Sequence, residues 1–128
     1  MTTTGEKMLI LDQFFAAIPK GQIETVKATY HPDCVIWHSN DNATQTVAEN
    51  LPVLGWVAKN IKGIRYEEIV RTPMDTGQVI QQHVLRGVGP SGKELNIVAC
   101  IVFTFTDDGR IIRLEEYLDS AQVAVLRA

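Results

Sequence analysis

Phe103-Thr104-Phe105-Thr106-Asp107-Asp108-Gly109-Arg110-Ile111-Ile112-Arg113-Leu114-Glu115-Glu116-Tyr117-Leu118-Asp119 reads as a strand, a tight turn, a second strand and a helix cap. Asp107-Asp108-Gly109 makes a good hairpin turn, because Gly109 is free to take positive φ. A strand sends alternate side chains to opposite faces. After the turn, Ile112, Leu114, Glu116 and Leu118 share one face, and Arg113, Glu115 and Tyr117 share the other. The first set is apolar apart from Glu116, so it is predicted to face inward, with Glu116 a carboxylate among Ile and Leu. Before the turn, Leu95, Ile97, Ala99, Ile101, Phe103 and Phe105 form one unbroken apolar face that should line the core. The opposite face (Asn96, Val98, Cys100, Val102, Thr104) is also mostly apolar. A sheet apolar on both sides needs a cover on its outer side. A second copy of the chain is the simplest cover, so a homodimer through the outer sheet face is expected.

Working outward, residues 64–71 and 78–88 are predicted as two further strands ahead of 94–106 and 110–118. Thr72-Pro73 and Gly89-Pro90-Ser91-Gly92 separate them. Gln81, His83 and Leu85 share a face of the second strand, and periodicity alone does not say which face points inward. Upstream, Met8, Leu11, Phe14, Phe15 and Ile18 recur at helical spacing over 6–18, and Pro19 and Gly21 stop that helix. A short helix over 22–30 and a strand over 34–38 follow. Thr46 with Glu49 three residues on is a capping-box pattern for a helix over 47–60, in which Pro52 predicts a kink or a later start. Asp119 caps a last helix to about 126. Three helices ahead of a strand meander imply an α+β fold. The curved antiparallel or mixed sheet would wrap around the helices as a cone with an internal pocket.

The 128 residues suit a single domain spanning 1–128, and 45% hydrophobic residues suit a packed core. A formal charge of −3 argues against a nucleic-acid partner. No apolar run approaches the ~18 residues of a membrane span, and the polar start Met1 to Lys7 is not read as a secretory leader. Cys34 and Cys100 stand far apart in apolar runs with no CxxC, so buried free thiols in a reducing cytoplasm are expected. GxGxxG, P-loop and GxSxG patterns are absent. The glycines of Gly87-Val88-Gly89-Pro90-Ser91-Gly92 belong to a hairpin connection, so Ser91 is no nucleophile candidate.

The element order, the segment Tyr30-His31-Pro32-Asp33-Cys34-Val35-Ile36-Trp37-His38 and the C-terminal stretch quoted first resemble the nuclear transport factor 2-like superfamily, and within it the SnoaL-like and ketosteroid-isomerase-like branch. The resemblance covers nearly the whole chain. It is specific for the fold and weak for activity, because this fold hosts isomerases, cyclases, hydrolases, dehydratases and non-enzymes. Residue by residue, His38 occupies the position of the isomerase general base. The isomerase oxyanion pair falls on Phe14 and Ile101, which cannot donate a hydrogen bond, so steroid isomerase activity is not expected. Against limonene-epoxide hydrolases, which are similar in fold, Glu116 matches one catalytic Asp, His83 the other and Gln81 the Arg. The water-holding pair falls on Ile36 and His38. That match implies that His83 faces inward. SnoaL-type cyclases use a His and an acidic residue in the pocket, and His38, His83 and Glu116 offer those residue types.

If the protein is an enzyme, His38, His83 and Glu116 converge in an apolar pocket near Tyr30, Trp37, Trp56, Ile101 and Phe103. Ile36, Gln81 and Leu114 complete the expected lining. One His or Glu116 would act as base on a carbon acid or a water, and the other His would polarise the oxyanion. Structural roles stand beside these. His38 could cap the turn at Ser39-Asn40, His83 could be a hydrogen-bonded core histidine, and Glu116 could pair with Arg86 or Arg113. Trp37 could face the outer side, and Trp56 could be core filler. Two His and a Glu on separate strands without HxH or HxxxH spacing do not suggest a metal site, and no cofactor is expected. A small apolar ligand is the expected partner. The alternatives are a non-catalytic binding module and a protein-interaction module.

Overall fold

The computed structural model describes residues 2–127. Its elements are α1 (Thr4–Ala17), α2 (Ile23–Thr29), β1 (Tyr30–His38), β2 (Ala43–Gln45), α3 (Val47–Asn60), β3 (Lys62–Pro73), β4 (Val79–Val88), β5 (Glu94–Phe105), β6 (Ile111–Leu118) and α4 (Ser120–Ala124), with a 3-10 turn at Val125–Arg127. The strands form one curved, unclosed sheet in the order β2-β1-β6-β5-β4-β3. Neighbours are antiparallel except β1 and β6, which run parallel. This is the expected α+β architecture. The short β2 has no clear mark in the sequence: of Ala43-Thr44-Gln45 only Thr44 favours a strand, and the segment pairs with Ile36, Trp37 and His38.

Local chemistry sets the helix ends. The Thr3 and Thr46 side chains accept from the backbone N–H of Glu6 and Glu49, and each Glu carboxylate accepts from the backbone of its Thr in return. Those two capping boxes fix where α1 and α3 begin. Pro52 neither delays the start of α3 nor ends it. The hydrogen bond that it forgoes would have gone to the carbonyl of Ala48, an exposed residue. Pro32 is tolerated within β1 because the register against β6 shifts between Tyr30 and Val35, where no ladder donor is needed.

Leu11, Phe14 and Phe15 of α1 and Val26 of α2 pack on Ile36, Ile101, Phe103 and Leu114 of the sheet's inner face. Burying each such side chain stabilises the fold by about 1.5–3 kcal/mol. The inner face of β5 is buried from Leu95 to Phe103, as its alternation predicts. On the outer face Val98 and Tyr117 are exposed and Cys100 is half-buried. Gln122 of α4 accepts from the Val98 N–H beyond the end of β6. No helix among the described residues is long and apolar enough to cross a membrane.

Two register shifts in β3 bend the sheet, between Lys62 and Arg65 and between Glu67 and Val70. Gly63 and Glu68 take positive φ there (62° and 55°). Gly87 of β4 lies against the first shift. A Cβ on Gly87 would stand 2.7 Å from Ile61 Cγ2 and 3.1 Å from the Lys62 carbonyl oxygen. Ile61 is buried and the other contact is backbone, so neither yields freely. Gly87→Ala is expected to lower unfolding free energy by about 1–3 kcal/mol, read from urea denaturation.

Candidate functional site

One row of inward side chains crosses five strands. His38 stands beside Glu116, Glu116 opposite Ile101, Ile101 opposite Gln81, and Gln81 opposite Arg71. The adjacent row is Ile36, Leu114, Phe103 and Val79, all buried. The polar row therefore lies along the edge of an apolar floor.

At one end, His38 Nε2 is 3.2 Å from Glu116 Oε1, with side chains 23% and 20% exposed. Both groups are partly screened from water and still reachable. Burial pulls the His38 pKa down, but the hydrogen bond and charge of Glu116, aided by Asp41, outweigh it and hold His38 above its ordinary 6.5. His38 does not cap the following turn. Ser39, next in the chain, ties the end of β1 to β6, accepting from the Leu118 N–H through Oγ (2.8 Å) and donating its own N–H to the Glu116 carbonyl (2.9 Å). Nor is Glu116 locked to an arginine: Arg113 pairs with Glu115, and Arg86 pairs with Glu67 and Glu68.

His83 is 3% exposed. The Phe15 and Tyr66 rings pack edge-on against it, with centroids at 5.4 and 5.0 Å. Gln81 Nε2 lies 2.9 Å from its Nδ1. Burial lowers the His83 pKa, Arg71 adds to that, and Glu116 opposes it without prevailing. His83 is thus mainly neutral at pH 7 while its counterpart His38 is pushed toward the cation. The Glu116 charge also adds to the burial that raises Tyr30 and Tyr66. Its field reaches both histidines and both tyrosines, which marks these groups as one electrostatic cluster.

Of the residues expected around the cluster, Ile36, Gln81, Ile101, Phe103 and Leu114 are buried on the inner face. Tyr30 is buried too, and its hydroxyl donates to Asn50 Oδ1 (2.8 Å), whose amide in turn donates to Gln45. Trp37 lies on the other side: its ring meets outward Tyr117 at 5.2 Å, and its Nε1–H donates to Asn42. The cause is the period of two, which sends Trp37 opposite to Ile36 and His38. Trp56 is partly buried on α3. Sequence reasoning missed Arg71 and Tyr66. They are five residues apart, an odd spacing that would put them on opposite faces of a regular strand. The shift at Glu68 brings both inward.

A cleft of about 280 Å³ between α1 and β3 is lined by Asp12, Phe15, Tyr66 and Arg71, among others. His38, His83 and Glu116 line neither this cleft nor three others of about 160–320 Å³ on the described residues. Phe15 and Tyr66, which do line it, are the two rings packed on His83. No group of three or more His, Cys, Asp or Glu side chains among the described residues is placed to hold a metal ion.

A family model described as a SnoaL-like domain matches residues 11–114. No curated protein matches the sequence significantly. Solved structures of the same fold include a proposed isomerase from Bacillus subtilis (17% identity, 96% of this chain and 93% of that one, TM-score 0.82). They also include an NTF2-like protein from Burkholderia xenovorans LB400 (18%, 100% and 100%, 0.81). A proposed polyketide cyclase from Xanthomonas campestris is a third (18%, 96% and 96%, 0.78). At these identities the likeness is one of fold.

Glu116→Gln removes the charge that holds His38 up. The His38 pKa, followed by NMR titration, should fall below its wild-type value. A histidine raised in the folded state stabilises fully below its unfolded pKa of about 6.5, and this contribution is lost as pH rises through the folded value. The stability difference between wild type and Glu116→Gln should therefore shrink as pH is raised through the wild-type His38 pKa, measured by denaturation at a series of pH values.

Proposed function

The chain belongs to the SnoaL-like domain family, and from that premise we propose that it binds a small, largely apolar molecule in the conical interior and moves a proton on it without a cofactor. The chemistry would be of isomerase, polyketide-cyclase or epoxide-hydrolase type. The observation that carries this reading is the His38–Glu116 pair, 3.2 Å apart on an apolar floor and partly open to solvent. A carboxylate and an imidazole in contact share a proton readily, which is what a general base must do. In the carbon-acid case, the pair takes a proton from a carbon beside a carbonyl. The electron pair of that C–H bond becomes a carbon–carbon double bond, the carbonyl π pair moves onto the oxygen, and the His83 ring N–H donates a hydrogen bond to the oxyanion. Where the substrate carries a β,γ double bond, return of the proton to the γ carbon moves that double bond to the α,β position, reforms the carbonyl and completes an isomerisation with no change in oxidation level. Tyr30, Ile36, Ile101, Phe103 and Leu114 supply the apolar surroundings. Steroid isomerisation fits poorly, because the resemblance puts that family's oxyanion donors at Phe14 and Ile101, which cannot donate a hydrogen bond.

A second reading is favoured by the aromatic cluster. Phe14, Phe15, Tyr30, Tyr66, His83 and Phe103 meet one another edge to edge. A cone filled in this way suits a protein-interaction module, whereas a non-catalytic binding module needs a cavity whose polar groups are held by structural partners. The full span 1–128 is proposed to act as one domain, in the cytoplasm, where Cys34 and Cys100 stay thiols.

Deuterium incorporation from D₂O into a panel of apolar enones and β-dicarbonyl compounds, followed by mass spectrometry, separates these readings. Wild type should exchange label, and Glu116→Gln or His38→Gln should lose about 10²-fold or more of that rate. Saturable binding without exchange would favour the carrier role, and neither binding nor exchange the interaction role. Separately, the outer sheet face, with Val98, Val102, Tyr117 and Trp37, is proposed to bury a second copy of the chain. Sedimentation should give a dimer for wild type and a monomer for Val98→Glu/Tyr117→Glu; a monomeric wild type would rule the interface out.

A further inference from the structure

Four polar side chains outside the His38–Glu116 pair form a continuous chain from the surface to His83. Asp12, exposed on α1, accepts from Arg71 Nη1 at 2.5 Å. The same nitrogen donates to the Met8 carbonyl at 3.2 Å, which pins the guanidinium against α1. Arg71 Nε donates to Gln81 Oε1 at 2.7 Å. The other end of that amide, Gln81 Nε2, is 2.9 Å from His83 Nδ1.

The chemistry of the donors sets the direction of every bond. A guanidinium has only donors. The atom of Gln81 facing Arg71 must therefore be the oxygen, which leaves the amide NH₂ facing His83. An amide NH₂ only donates, so His83 Nδ1 must accept and carries no proton. In a neutral imidazole the proton then resides on Nε2. Nε2 makes no hydrogen bond to any described residue. Phe15 from α1 and Tyr66 from β3 flank the ring, and the charged groups that act on it are Glu116 from β6 and Arg71 from β3.

We propose that Asp12, Arg71 and Gln81 are positioning residues that lock His83 as the Nε2–H tautomer, making it a hydrogen-bond donor to the ligand and leaving the base role to His38 and Glu116. The inference rests on the proton-transfer reading for its meaning and not for its test. Burial keeps the ring neutral, so the donor is imidazole and not imidazolium, a weaker acid suited to stabilising an oxyanion without giving up its proton. Gln81 is fully buried in the middle of a strand, where an apolar residue would pack without needing partners. Holding an amide there is explained by the two bonds it must make, one accepted and one donated. The Arg71 anchor prevents the amide from turning over.

The test is long-range ¹H–¹⁵N NMR of the histidine rings in the ligand-free protein, at a pH where His83 is neutral. Wild type should show His83 protonated at Nε2 and bare at Nδ1. Gln81→Glu places an acceptor against Nδ1, so the proton should move to Nδ1 and the His83 pKa should rise. Arg71→Met frees the amide and should give a mixture of tautomers. An Nδ1–H tautomer in wild type overturns the proposal, as does an unchanged His83 signature in a folded Gln81→Glu variant. Because wild type alone is decisive, an unfolded variant does not rescue it. No substrate is involved, so failure of the deuterium-exchange experiment leaves this result standing, and the reverse also holds.

Discussion

Between Tyr30–His38 and Ile111–Leu118 the backbone pairs in parallel, and most of the molecule follows from that pairing. Parallel neighbours cannot be joined by a short turn. The chain between them must leave the sheet, form α3 and the long β3-β4-β5 meander, and return. That route encloses the apolar floor of Ile36, Leu114, Phe103 and Val79 beneath the helices. The same pairing sets His38 beside Glu116, residues 78 positions apart in sequence. Ser39 fastens the end of the pairing through its bonds to the backbone of Glu116 and Leu118. The site is thus held by ladder hydrogen bonds on both sides, which gives its side chains little freedom to drift.

The interior is asymmetric in charge. Its polar groups cannot be removed from water without compensation, and each is compensated differently. His38 gains a carboxylate and moves toward the cation. His83 gains only an amide and aromatic edges and stays neutral. Tyr30 gains Asn50. Two residues of the same type are thus shifted in opposite directions by their surroundings alone.

Much of this was legible in the sequence. The alternation of Leu114 and Glu116 places Glu116 inside, and the apolar run from Leu95 to Phe103 identifies the central strand; at the start of β6 the register shift between Thr104 and Phe105 gives the core Ile111 in place of the expected Ile112. Thr46 with Glu49 marks the start of α3. Gln81 and His83 share a face by spacing, and resemblance to the epoxide hydrolases implies that the face is the inner one. Arg71 was not legible, because the offset at Glu68 breaks the period of two and no residue type announces it. Glu is a poor guess for positive φ. Trp37 was placed by residue type, as an aromatic near a pocket, when strand parity already sends it outward. The β2 strand was hidden because its formation depends on its partner.

The irregularities in β3 have a consequence for the behaviour of the protein in concentrated solution. An unclosed sheet has two open edges, each a template on which another molecule could add a strand. One edge is β2, only three residues long, too short to hold a neighbour. The other is β3, twice interrupted in register, bearing Lys62, Arg65, Glu67 and Glu68, and ending in Pro73. The offset that turns Arg71 toward His83 also denies a flat edge to a passing chain. One offset, at Glu68, thus shapes both the outer edge of the sheet and the inward placement of Arg71.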